Sequence, residues 1–127
     1  MQEQALWNAV VALAIEDALG AFKTNLNLER QEELFFKQLR KYKDKGRPLK
    51  SSPVLRIVDP ESVPDERGKF VRDARNYFTQ NGDFYKDLTI TCERANICPK
   101  RLKDVMIEKI ADIRAREARL YKFYKTM

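Results

Sequence analysis

The chain contains no histidine and only two cysteines, Cys92 and Cys98. Without histidine neither a Cys/His zinc site nor a Ser–His or Cys–His nucleophile–base pair can be assembled. The two cysteines stand six apart across a predicted helix turn, a poor spacing for a disulfide, and are expected as reduced, core-type thiols of an intracellular protein. Glycine is scarce, at four residues, and none falls in a phosphate-cradling loop pattern. Paired catalytic carboxylates are missing too: Glu16-Asp17 and Asp65-Glu66 are neighbours that diverge on a helix or lie in a loop, and Asp59 to Glu61 lacks further ligands. No catalysis, metal or cofactor is therefore expected. The longest apolar stretch, Ala5 to Ile15, includes Asn8 and is too short to span a bilayer. Gln2, Glu3 and Gln4 precede it and Glu16-Asp17 follow it, which does not fit a secretory signal; a cytoplasmic chain with no membrane contact is expected.

What is present is charge, unevenly placed. The net charge is +6, but residues 1–36 sum to −4, 37–50 to +6, 51–98 to −1 and 99–127 to +5. Two short segments hold the positive excess. Such patches suit a polyanion, although lysine at a helix end also serves solubility and the helix dipole.

The 127 residues are enough for one domain without staples, and the periodicity predicts an all-α fold with a long C-terminal helix. Residues 1–45 are expected to form two helices. The first, 3–22, carries Leu6, Trp7, Val10, Val11, Leu13, Ala14, Ala18 and Phe22 on more than one stripe, the pattern of a central buried helix with Trp7 as a core anchor. The second begins at an Asn27 cap, buries Leu28, Phe35, Leu39 and Tyr42, and ends in a lysine-rich turn before Gly46. Four of the five prolines fall in 46–66, which predicts a linker or arm with Val54–Val58 as a short extended piece. Residues 67–127 are expected to form a helical unit. Its first helix runs from about Pro64 to Gln80 with Phe70, Val71, Ala74, Tyr77 and Phe78 inward; its second is capped by Asp83 and runs from Phe84 to Ala95; its third starts at Pro99 and reaches Tyr124.

The corner between the last two helices has helix-turn-helix spacing. Cys92 is a small residue where two helices must approach, Asn96 suits a left-handed turn, and Ile97, Leu102 and Val105 close a small core. Pro99 fits a first helical turn. The buried stripe of the last helix continues through Met106, Ile110, Ile113, Leu120, Phe123 and Tyr124, interrupted at Arg116-Glu117. Opposite it, Ile107 and Ala111 are oddly apolar and suggest contact with a partner helix, as in a homodimer.

A recognition helix offers its N-terminal exposed residues to base edges while neighbouring cations hold phosphates. Lys100, Arg101 and Lys103 occupy that place, with Lys41, Lys43, Lys45 and Arg47 as a second basic cluster and Arg114 and Arg119 on a downstream arm. Asp104 and Glu108 share the exposed side and oppose phosphate.

The segments ALWNAVVALAIEDAL and DARNYFTQNGDFYKDLTITCERANICPKRL resemble a family of small phage and prophage proteins. Leu6, Trp7, Ala9 and Val10 match its opening helix, Ala74 and Arg75 its second motif, and Cys92, Ile97, Pro99 and Leu102 its helical corner. Tyr77 stands where tryptophan is expected and Asn96 where glycine is. The resemblance covers the two ends of the chain, not residues 23 to 66, and implies a phage-encoded origin and a helix-turn-helix-like shape, with no catalytic residues. Three functions fit: a duplex-DNA-binding transcriptional regulator or accessory factor; a protein that docks on a host enzyme or defence component through the basic helices and the Ile107 side; and a small terminase-type packaging subunit, which would form a ring.

Overall fold

A computed structural model describes residues 2–127. They form six α-helices, α1 (Gln2–Ala18), α2 (Leu28–Asp44), α3 (Ser52–Val58), α4 (Glu66–Thr79), α5 (Asp83–Arg94) and α6 (Pro99–Thr126), with a 3-10 turn at Pro60–Ser62 between α3 and α4. No strand occurs among these residues, and the fold is all-α. Among the described residues no helix is long and apolar enough to cross a membrane.

α6 organises the molecule. Met106, Ile110, Ile113, Glu117, Leu120 and Tyr124 are its buried residues, spaced three and four apart on one stripe, and α2, α3, α4 and α5 all pack on it. α2 begins as expected: the Asn27 side chain accepts from the Arg30 amide at 3.2 Å, satisfying one orphan donor of the first turn. It then lies parallel to α6, because Glu32 meets Arg116 and Arg119 while Phe36 packs edge-on against Phe123 at 4.8 Å. The segment after α2 returns the other way: the Tyr124 hydroxyl donates to the Arg47 carbonyl, and Glu61 reaches Arg114.

Several expectations are corrected. Residues 46–66 are not a linker, and 54–58 are not extended. Pro53 sits in the first turn of α3, where its missing N–H costs nothing, and Val54, Leu55, Ile57 and Val58 are buried. The prolines bracket and start a helix here. α1 stops at Ala18 and is not central. It rests on α4 and α5, burying Val11 and Ala18 and leaving Leu6, Val10 and Leu13 43–63% exposed. Trp7 is only half-buried, with the Arg94 guanidinium 4.8 Å from its ring centre. Phe70 is 51% exposed rather than inward. Asp83 does not cap α5 but lies within its first turn, the cap position being Gly82.

The Arg116-Glu117 interruption is in part no interruption. Glu117 continues the buried stripe and forms a bidentate pair with Arg75, at 2.9 Å to Nη1 and 2.7 Å to Nη2. Arg75 is fully buried, and its Nε donates to the Ala18 carbonyl at the end of α1 at 2.8 Å. Its Nη1 also reaches Glu61 at 2.8 Å, which in turn binds Arg114. One guanidinium therefore ties α1, the 3-10 turn and α6 to α4. Two glycines make room. A Cβ at Gly68 would stand 1.7 Å from the Val63 carbonyl oxygen, and one at Gly20 would press on Arg75 and Glu117 at 3.1 Å.

Candidate nucleic-acid interface

The α5–α6 corner is built largely as its residues predict. Cys92 is fully buried between the helices, and Ala95 is buried beside it. The Ile97 amide donates to the Cys92 carbonyl at 2.8 Å, closing the end of α5, and Asn96 takes the left-handed conformation with φ 59°. Among the described residues it is the one non-glycine residue with positive φ, the place where a side chain able to adopt αL is needed. Ile97 and Leu102 pack partly buried against the core. Val105 does not: it is 54% exposed, and Met106, 2% exposed, takes the inward place.

Both thiols are free; Cys92 is buried, but Cys98 is exposed and so is not the core residue expected. Burial, with Cys98 adding to it, pushes the Cys92 thiol above its ordinary value, so it stays protonated and inert.

Of the cations predicted to touch DNA, the structure separates those free to do so from those already engaged. Lys100 and Arg101 stand exposed on the first turn of α6, and neither enters an ion pair among the described residues. Lys103 is turned inward to the preceding helix, donating to the Gln80 carbonyl at 3.1 Å and to Asn81 Oδ1 at 2.5 Å, and it lies over the Tyr85 ring. It holds the end of α4 against the corner. Arg114 binds Glu61, and Arg119 binds Glu32 through Nε at 2.8 Å and Nη2 at 3.0 Å. The chain end is thus not a basic arm: α6 stays helical to Thr126, and its arginines fasten α2 and the 3-10 turn.

The second basic cluster is remote from the first. Lys43 donates to the Tyr124 carbonyl at 3.3 Å and covers the Tyr124 ring, and Arg47 lies over Tyr42. The cluster therefore sits at the far end of α6, about 36 Å from Lys100 at the helical rise, where it complements helix C-termini. Lys41 and Lys45 are exposed there. On the outer side of α6, Asp104, Glu108, Ile107 and Ala111 are all exposed.

The buried ion network escaped the sequence reading, although a signal existed: Glu117 falls between Ile113 and Leu120 in perfect register with the apolar stripe. A charge in that register calls for a partner, and Arg75, between Ala74 and Phe78, is the matching case on α4. Every buried side-chain polar atom among the described residues has a hydrogen-bond partner, so this network fastens helices and leaves no group over for a ligand. The described residues contain no cluster of three or more potential metal ligands.

No protein-family model matches the chain, and comparison with curated proteins and with solved structures returned no match.

Proposed function

We propose that the protein binds duplex DNA through the α5–α6 corner and acts as a small regulator or accessory factor of transcription, of the phage type that its end segments resemble. The observation that carries the reading is the corner itself. A tight αL turn at Asn96 and the buried Cys92 bring α5 against α6, and the first turn of α6 projects Lys100 and Arg101 outward with no internal partner. Arginine pairs bidentately with guanine, lysine meets the same edge, and the unpaired amides of a helix N-terminus donate to a phosphate.

Asp104 and Glu108 repel phosphate one and two turns further on, which confines the contact to the first turn of α6. Lys41 and Lys45 then act as a separate phosphate contact about one duplex turn, roughly 34–36 Å, away. Lys103, Arg114 and Arg119 leave the interface, since they are engaged by Gln80 and Asn81, by Glu61 and by Glu32 respectively.

A gel-shift titration at low salt tests this. Wild-type protein and Lys103→Ala shift the duplex alike, whereas Lys100→Ala/Arg101→Ala shifts it only at higher protein concentration, without loss of helicity by circular dichroism. Absence of any shift, or a double variant that binds like wild type, overturns the assignment.

A further inference from the structure

On the side of the molecule formed by α1, α4 and α5, three helices leave apolar residues uncovered at helical spacing. Leu6, Val10 and Leu13 follow one face of α1 at intervals of four and three and are 63%, 43% and 59% exposed. Phe70 on α4 and Phe84 on α5 are 51% and 42% exposed. Val10, Phe70, Tyr77 and Phe84 line a continuous open groove of about 580 Å³. Scattered apolar residues on a surface need no explanation, but a contiguous patch of aromatics and aliphatics along a shallow groove marks an interaction site.

The charge of the groove identifies the occupant. Its charged lining residues are Asp17, Asp73 and Asp87, one from each of the three helices, with no lysine or arginine among them. This is an acidic rim on a chain of net charge +6. Burial, reinforced by neighbouring Glu16, already holds the Asp17 carboxyl above its ordinary value, so a cation brought beside it relieves an unfavourable carboxylate. The groove lies on helices other than the one carrying Lys100 and Arg101, and the inference does not depend on DNA binding.

We infer that the α1–α4–α5 groove is a docking site for an amphipathic helix of a partner protein, with a stripe of large apolar residues flanked by lysine or arginine. The partner's apolar stripe covers Val10, Phe70 and Phe84, and its basic flanks meet Asp17, Asp73 and Asp87. Electrostatic complementarity of this kind sets which helix is accepted, and the buried aromatics supply most of the affinity.

The test uses the full chain and two fluorescein-labelled synthetic helices of about 18 residues with the same leucine pattern, one with lysine and one with glutamate on the polar face. Fluorescence anisotropy is expected to show the Leu/Lys helix bound at least about thirtyfold more tightly than the Leu/Glu helix. Phe70→Ser/Phe84→Ser should abolish the binding, and Asp73→Asn/Asp87→Asn, which leaves the apolar surface intact, should narrow the preference between the two helices. Equal affinity for both helices, or binding indifferent to both double variants, overturns the inference. Sedimentation of the protein alone supplies a further outcome: a dimer that Phe70→Ser/Phe84→Ser dissociates assigns the groove to a second copy of this chain and also overturns it.

Discussion

Arg75 joins α4 to α1, the 3-10 turn and α6 through one side chain. A fully buried guanidinium is tolerated only when paired and hydrogen-bonded, and here it has two carboxylates and a helix-end carbonyl. Burial pushes the Glu117 carboxyl up while the guanidinium opposes it. Truncating Arg75→Ala leaves Glu117 buried without its cation and should cost about 3–5 kcal/mol in urea unfolding, whereas Arg75→Met/Glu117→Leu should fall within about 1 kcal/mol of wild type or exceed it. Equal losses in the single and double variants would show that the pair is not the source of the cost. Glu32 makes a pH-dependent contribution. Its hydrogen bonds with Arg119, and with Arg116 against the opposing burial, hold its carboxyl below the ordinary value of 4.5. A carboxyl depressed in the folded state stabilises above its unfolded value and loses that contribution as pH falls through its folded one. Acid unfolding of Arg119→Ala should therefore begin at higher pH than that of wild type, and an unchanged acid midpoint would remove Glu32 from the account.

At the scale of elements, the corner shows how turn chemistry and packing divide the work. Asn96 bears a φ that an L residue adopts at a cost of about 1–2 kcal/mol, reduced for asparagine and absent for glycine. Asn96→Gly should hold or raise the thermal midpoint, and Asn96→Val should lower stability by about 1–2 kcal/mol; the reverse order would mean that the turn is not αL in solution. This element was legible because turn, small residue and N1 proline are local signals. The same holds for the Asn27 cap and for the stripe of α6 from Met106 to Tyr124. α3 was not legible: four prolines in 46–66 read as breakers, when Pro53 occupies the one turn of a helix that tolerates it. The orientation of α1 was hidden for another reason. A helix apolar on most sides does not specify which side faces the core, so Leu6, Val10 and Leu13 read as interior although they line an open surface. The candidate site was half legible. Lys100 and Arg101 are as exposed as their position on the helix predicts, but the engagement of Lys103, Arg114 and Arg119 depends on Gln80, Glu61 and Glu32, whose proximity is tertiary.

Across the whole molecule, α6 is a beam about 42 Å long whose two ends carry different charge. At its start Lys100 and Arg101 are unengaged. At its finish the lysines of α2 gather around the C-termini of two parallel helices, where the dipoles favour them. The count of 25 lysines and arginines thus overstates what is available to a polyanion, because Arg75, Arg114, Arg116 and Arg119 are ion-paired with Glu32, Glu61 and Glu117 and others lie over aromatic rings. The DNA account consequently predicts a small electrostatic footprint. Fluorescence anisotropy of a labelled duplex, titrated across a salt series with wild-type protein and Lys100→Ala/Arg101→Ala, measures it directly. The account predicts that log affinity falls with log salt at a slope of about −2 or steeper for wild type, and that the double variant binds more weakly with a slope shallower by about 2. Identical slopes for the two proteins, or no binding at the lowest salt, would contradict DNA recognition by the first turn of α6.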